Sequence, residues 1–405
     1  GSLQENDQQK GGAHFLEHMS FSGTKHFPQN AWVDYFERLG MKYGRDINAF
    51  TGYDRTIYWL SLPVADFGTQ VMDSTLLAVR DILDGVSFEP QLVEQERGVI
   101  KEELRGYSTG DDFYNLKIGD GRYILRMPLG TEQDIETISR NQLLNYYHQW
   151  YLPQNACLVV VGNVDAQDMQ KRIQDTFSSI AKGQPTPLGK YPLTYKKGIT
   201  LHELKDTVGT SSKLEFIIPH EGVVGNTIAS TALKEQYRLL IAAISKRLAA
   251  RGIRCDISDA WYLATQNHFS FSVEGKGKQE LKEKMTQVLG AFADITKKGF
   301  GKEELADYVT EKVNRMKADT VGFQSGKWCD DFVDYIISGD RYVVWDEDME
   351  KVKLLVSNTS SSQLQKLFKS ILNEGKQSLL VAYQNNAGKT ESFTESELQQ
   401  LWQQG

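Results

Sequence analysis

Two histidines and a glutamate stand together near the start of the chain, in Gly11-Gly12-Ala13-His14-Phe15-Leu16-Glu17-His18. On an α-helix advancing about 100° per residue, His14, Glu17 and His18 lie at about 0°, 300° and 40° and project from one face. Two imidazoles one turn apart can chelate a single zinc ion, and a carboxylate beside them can activate a water in its fourth position. The order His-x-x-Glu-His inverts the commoner His-Glu-x-x-His motif. Such a pattern arises by chance about 0.01 times in a chain of this length, which leaves a helix-face coincidence a weak rival.

A zinc site of this type needs a third protein ligand. The helix expected from Pro90, a residue suited to a first turn, to about Tyr107 offers several carboxylates. With Val93 at 0°, Ile100, Leu104 and Tyr107 lie within about 40° and mark the side facing the core. Glu96 and Glu103 fall at about 300° and 280°, on the flank of that side, whereas Glu94 and Glu102 point to about 100° and 180°, into solvent. Glu103 is therefore the best third ligand, and Glu96 is placed to orient one. Without the upstream histidines both would read equally well as solubilising charges.

The elements that must hold these residues follow from periodicity and punctuation. A helix is expected over 30–39, capped by Asn30, with Trp32, Val33, Phe36 and Leu39 on one face. A strand follows over 55–62, stopped by Pro63, and a helix over 67–84 ended by Gly85. A helix over 139–149 leads to an apolar strand over 157–162, in which Cys157 reads as a small buried hydrophobe, and to a helix over 165–178. Residues 181–192, punctuated by Pro and Gly, read as a linker. Beyond it come a strand at 211–218, a helix at 228–250, a strand at 268–274, helices at 278–298, 302–318 and near 361–373, and a strand at 377–384. Setting 268 against 55, 302 against 90 and 377 against 157 gives offsets of 213, 212 and 220. That agreement predicts two duplicated units, 1–187 and 193–405. The same offset puts the counterpart of the 211–218 strand at or before residue 1, so the first unit is expected to lack its opening strands and the chain to be a piece of a longer one.

Composition narrows the classes further. Of 405 residues, 40% are hydrophobic and 24% charged, and 46 Lys+Arg against 53 Asp+Glu leave a net charge of -7. That balance argues against a general attraction to nucleic acid or anionic lipid. No run approaches the ~18–20 apolar residues of a membrane-spanning helix, and the first fifteen residues carry no basic-then-apolar signal pattern. Cys157, Cys255 and Cys329 are far apart, which excludes a disulfide framework and a Cys-type zinc knuckle.

His14-Phe-Leu-Glu17-His18, followed 85 residues later by Glu103 within Glu96-Arg-Gly-Val-Ile-Lys-Glu-Glu103, resembles the inverzincin peptidases: pitrilysin, insulin-degrading enzyme and the mitochondrial processing peptidase. Asn48-Ala49-Phe50-Thr51 is similar to the family's Asn-Ala-aromatic-Thr segment, and Tyr147-His-Gln-Trp-Tyr-Leu-Pro-Gln-Asn155 with Val-Val-Val-Gly162 to its strand-approach signature. The likeness is nearest to the bacterial zinc-peptidase branch; it is strong over roughly residues 1–165 and architectural beyond. It implies an α+β fold of two units, each a mostly antiparallel or mixed sheet covered by helices, the first catalytic and the second free of the motif. It implies zinc on His14, His18 and Glu103, Glu17 as general base, and Glu96 supporting the ligand sphere. Asn48 and Ala49 would lie on an edge strand to which an extended peptide adds. Arg247 is the plausible counterpart of an arginine that holds substrate or oxyanion, although position 254 carries Arg where the family has Tyr; a surface arginine on an amphipathic helix is the competing reading.

The activity implied is that of a zinc metalloendopeptidase acting on peptides or unfolded segments. The alternative is a non-catalytic scaffold or partner subunit of the same fold, which has no need to keep two His and two Glu on matching helical faces. The resemblance also implies a second pair of units to close a substrate chamber, from a longer parent chain or an oligomer, and the periplasm or cell envelope of a bacterium as the compartment.

Overall fold

The computed structural model describes residues 1–68, 70–106, 116–206, 209–318, 321–322, 324–340, 344–386 and 390–403. Tyr107, which the helical phase put with the core residues of its helix, lies outside them. The chain divides into two compact units, Gly1–Gly110 with Gly121–Pro192, and Asp111–Asp120 with Leu193–Gly405.

In the first unit α1 (Gly12–Ser22) is buried almost all round. Phe15, Leu16 and Met19 have no exposed surface. α2 (Ala31–Arg38) is followed by the antiparallel hairpin β1 (Ile47–Thr51) and β2 (Thr56–Leu60), then by α3 (Val64–Phe67) and α4 (Gln70–Asp84). α5 (Pro90–Gly106) turns Val93 and Ile100 into the core that holds α1. α6 (Glu132–Thr137) and α7 (Arg140–Trp150) both open with capping boxes, from Thr131 and Ser139, and Leu143 and Tyr146 of α7 close that core. α8 (Ala166–Phe177) starts on an Asp165 cap. Arg97 of α5 donates to the carbonyls of Ile135 and Ile138 and thereby ties α5 to the α6 region.

Three local expectations are revised here. The helix expected over 67–84 begins later, as α4 at Gln70, because Gly68 closes α3 at φ +60°, outside the right-handed helical region. Asn30 precedes α2 but makes no side-chain cap bond, its backbone being left-handed at φ 59°. Residues 157–162 form no strand, Cys157 is exposed, and Leu158 and Val160 are more than a third exposed. A β-prone run becomes a strand only when a neighbour satisfies its N–H and C=O groups, and the one sheet described in this unit is the β1–β2 hairpin. That removes one of the three correspondences on which the duplication rests; those of β2 and α5 with elements of the second unit remain.

The second unit is built on a five-stranded sheet, β3 (Gly198–Asp206), β4 (Ser212–Glu221), β5 (Asp256–Leu263), β6 (Gln266–Gly275) and β7 (Ser378–Asn386), in the order β3-β7-β4-β6-β5. β3 and β7 run parallel and the other pairs antiparallel. β4 buries both faces: Leu214, Phe216 and Ile218 enter the main core, while Ile217 packs with Leu116, Leu380 and Ala382. Helices α9 (Ile228–Ala250), α10 (Lys278–Lys298) and α11 (Lys302–Arg315) follow, then α12 (Ser325–Ser338), α13 (Asp346–Ser357), α14 (Ser361–Gln377) and α15 (Glu395–Gln403). Leu239 and Ile244 of α9, Val288 and Phe292 of α10 and Phe368 of α14 line the same core. α9 and α10 span the residues their periodicity predicts, and the whole is the α+β arrangement of mixed sheet and covering helices.

β3, β5, α12, α13 and α15 have no counterpart in the sequence reading. β3 and β5 are the sheet edges, and Asp256, Ser258 and Asp259 in β5, like His202 and Glu203 in β3, interrupt the apolar pattern that marks a buried strand. α12 buries no residue at all, so no buried face distinguishes it.

Candidate metal centre

α1 presents His14, Glu17 and His18, and α5 presents Glu96 and Glu103. Nε2 of His18 lies 3.4 Å and Nε2 of His14 3.7 Å from Oε2 of Glu103. One ligand atom from each of the three residues falls within 4.8 Å of the others. Zinc bonds of about 2.0–2.2 Å in a tetrahedron subtend ligand–ligand edges of about 3.3–3.6 Å, so the 3.4 and 3.7 Å approaches to Glu103 are close to the spacing of zinc ligands. Nδ1 of His18 faces Oε2 of Glu96 at 3.3 Å, an N–H to carboxylate contact that turns the other ring nitrogen towards Glu103. Nδ1 of His14, by contrast, is buried and has no hydrogen-bond partner among the described residues.

Burial and charge tune these groups in opposite directions. Burial, followed by the neighbouring His18, lowers His14 to about 4, so its ring is neutral and able to ligate at neutral pH. Burial disfavours charge on His18 too, but its hydrogen bonds to Glu103 and Glu96 outweigh it and hold it near 9. The His18 contact lowers Glu103, against some desolvation. Glu17, 9% exposed, is raised by burial even though the Thr51 hydroxyl and His18 pull it down. A carboxyl raised towards neutrality beside a cluster of metal-ligand type is placed for proton transfer.

The Thr51 contact comes from the hairpin. Thr51 Oγ1 donates to Glu17 Oε2 at 2.5 Å and leaves the second carboxylate oxygen of Glu17 for other partners. β1 pairs Thr51 with Thr56 and Ala49 with Tyr58, so Thr51, Ala49 and Ile47 share the face towards α1. Tyr58 on that face bonds Ser20 of α1 and Tyr151 through its hydroxyl. Asn48 is on the opposite face, with its amide on the Gly44 carbonyl and its side-chain oxygen accepting the Ala49 N–H. Among the described residues β1 pairs along its length with β2 alone; its other edge is met at Ile47, by a bridge to Tyr43, and no strand pairs with it beyond that.

The helical phases put Glu96 and Glu103 on the side of α5 that meets α1, with Glu94 and Glu102 outside it; the latter two are exposed and paired with Arg97 and Arg105. Arg247, expected as a substrate-binding residue, makes its contacts within the second unit. Its guanidinium donates to both oxygens of Glu304 and to the Gly299 carbonyl and stacks on the Phe300 ring at 4.6 Å. With its donors engaged inside the second unit, it is a tie between α9 and the start of α11. Sequence reasoning also passed over Thr51 as the partner of Glu17, and Glu5, whose carboxyl meets the first turn of α1; neither contact leaves a periodic signal in the sequence.

The family model described as Insulinase (Peptidase family M16) matches residues 1–113, and that described as Peptidase M16 inactive domain matches residues 137–240. The protein named Probable zinc protease PqqL of Haemophilus influenzae is 28% identical over 429 residues, covering 99% of this chain and 45% of that protein. In fold, the chain is similar to the crystal structure of the periplasmic protease PqqL from Escherichia coli, with a TM-score of 0.89 at 23% identity over 100% of this chain and 46% of that one. It is similar also to the structure of the first half of that protease, with a TM-score of 0.87 at 22% identity, covering 100% and 89% of the two chains. The chain thus spans about half the length of the curated relatives it matches.

Proposed function

Because this chain belongs to the insulinase family of peptidases, peptidase family M16, we propose that its first unit is the catalytic unit of a zinc-dependent metalloendopeptidase. One observation carries the reading: donor atoms of His14, His18 and Glu103 converge within 4.8 Å of one another while Glu17, on the same helix face, is raised by burial. His14, His18 and Glu103 would hold the ion, and Glu96 would orient His18. When bound, zinc supplies a Lewis acid that acidifies a water towards a pKa of ~7 and polarises a carbonyl.

The remaining chemistry belongs to side chains of this unit. Glu17, anchored through Oε2 by Thr51, accepts the proton of the attacking water and returns it to the leaving amine. The edge of β1 beyond Ile47, around Asn48 and Ala49, would receive an extended peptide through main-chain groups, which favours peptides and unfolded segments over folded surfaces. We assign residues 1–187 to the catalytic unit and 193–405 to a motif-free counterpart. A second pair of units, from the remainder of a longer parent, would complete the chamber, as the half-length coverage of the relatives suggests. The periplasmic location of the Escherichia coli relative favours the bacterial cell envelope as the compartment.

The experiment is chelator-reversible cleavage of a quenched peptide library by the full-length protein, with Glu17→Gln alongside. Cleavage is expected to vanish in Glu17→Gln while bound zinc stays at the wild-type level. Retained hydrolysis in that variant refutes the general-base role, and no cleavage by the zinc-loaded wild type returns the chain to the scaffold alternative.

A further inference from the structure

The first turn of a helix leaves its amides without intrahelical partners, and in α1 the N-cap position is Gly11, which has no side chain to offer. A substituent there is blocked: φ is +76°, and an added Cβ would sit 2.7 Å from the Ile135 methyl. The cap comes instead from outside the helix. Glu5, with no exposed surface, accepts the Ala13 N–H on Oε1 at 2.8 Å and the Gly11 N–H on Oε2 at 3.1 Å. A carboxyl at this end of a helix also meets the positive pole of its dipole.

The segment that carries Glu5 is held on both sides. Arg122 donates to the carbonyls of Leu3 at 2.8 Å and Glu5 at 2.6 Å, and buried Arg126 adds a bond to the Glu5 carbonyl at 3.0 Å. The same segment reaches the hairpin: the Ser2 N–H donates to the Gly52 carbonyl at 3.1 Å and the Leu3 N–H to the Tyr53 carbonyl at 2.8 Å. Gly52 adjoins Thr51, the residue that anchors Glu17. Residues 2–5 therefore join the two elements of the centre, the helix with His14, Glu17 and His18 and the strand with Thr51. Burial pushes the Glu5 carboxyl up to about 8 despite its two amide donors, so an ionisable group is kept where an apolar one would be easier to bury.

We propose that Glu5 is a positioning residue of the metal centre, fixing the first turn of α1 and its register against the hairpin so that His14 and His18 meet Glu103 at ligating distance. The role rests on the zinc reading of that centre. The test uses the full-length protein with Glu5→Gln, which keeps the volume but aims an NH2 group at one of two N–H donors, and with Glu5→Asp, which keeps a carboxylate. Met169→Ala, a buried change in the separate cluster of Met72 and Leu76 in the same unit, controls for general destabilisation.

Zinc affinity by chelator competition is expected to fall about tenfold or more in Glu5→Gln, in the range seen when groups orienting ligands are lost. It should recover in part in Glu5→Asp and stay within about twofold in Met169→Ala, with the loss of activity in Glu5→Gln borne by kcat rather than KM. In zinc-free protein, amide exchange over residues 9–16 should accelerate in Glu5→Gln and not in Met169→Ala. Unchanged zinc affinity in Glu5→Gln, or an equal loss in Met169→Ala, overturns the role. If the wild-type protein binds no zinc, the zinc reading fails by itself and amide exchange decides the role of Glu5, unchanged exchange in Glu5→Gln refuting it. Should Glu5→Gln fail to fold, Glu5→Asp carries the same comparison.

Discussion

Glu96→Gln separates a residue that orients a metal ligand from one that binds the metal. Glu96 is 13% exposed at its side chain and faces Nδ1 of His18 at 3.3 Å. A charge-assisted N–H to carboxylate bond is ordinarily about 2.7–2.9 Å, so this contact is loose. Removing the partner of a metal-bound histidine weakens metal affinity about 10- to 100-fold. The 3.3 Å separation and the retained amide oxygen of Gln put the expected loss at the lower end, about tenfold, or ~1.4 kcal/mol. The assay is zinc competition against a chelator of known affinity in the full-length protein, with Glu103→Ala and Glu102→Ala alongside. Glu103→Ala removes a donor atom and should abolish stoichiometric zinc; Glu102→Ala, 73% exposed and paired with Arg105, should change nothing. An unchanged affinity in Glu96→Gln refutes the orienting role. A loss as large as that of Glu103→Ala makes Glu96 a direct ligand and overturns the geometry.

Other outcomes bear on stability and on the second unit. Arg247→Met should lower the stability of the second unit by about 1–2 kcal/mol in urea, discounted for the partial exposure of Glu304, with KM for peptides unchanged; a raised KM with unaltered stability would restore the substrate-binding role. Phe15→Ala, at a site with no exposed surface, should cost about 3–5 kcal/mol of first-unit stability, and a change below ~1 kcal/mol would contradict the packing around α1. His268 is lowered to about 3 by burial and then by the charges of Lys117 and His220. The unfolded chain takes up this proton near 6.5 while the folded unit refuses it, so the stability it contributes is complete above 6.5, falls as pH drops towards 3 and is gone below. The window carries at most about 5 kcal/mol, and His268→Gln should flatten urea midpoints measured across it; a parallel slope in the variant would exclude His268 as the source.

The HxxEH spacing and the flank phase of Glu96 and Glu103 are local properties, and each is legible because a helix repeats every 3.6 residues regardless of its neighbours. The same locality explains why α9 and α10 emerge with their bounds intact. It fails for residues 157–162, where β-branched residues are plentiful but no neighbouring strand among the described residues satisfies the backbone, and for the edge strands β3 and β5, whose polar residues hide them.

What the sequence determined by itself is the chemistry available, two imidazoles and a set of carboxylates on two helices. What only the tertiary structure decided is which atoms meet. The 3.4 and 3.7 Å approaches to Glu103, the Thr51 bond to Glu17 and the Glu5 cap join residues up to 89 positions apart (103 − 14). The internal engagement of Arg247 was set the same way, by the residues that packing brought beside it. Sequence periodicity states the direction in which a side chain leaves its own helix; the distance to a partner on another element is set by the core between them, by Phe15, Leu16, Val93 and Ile100 filling the space that holds α1 against α5.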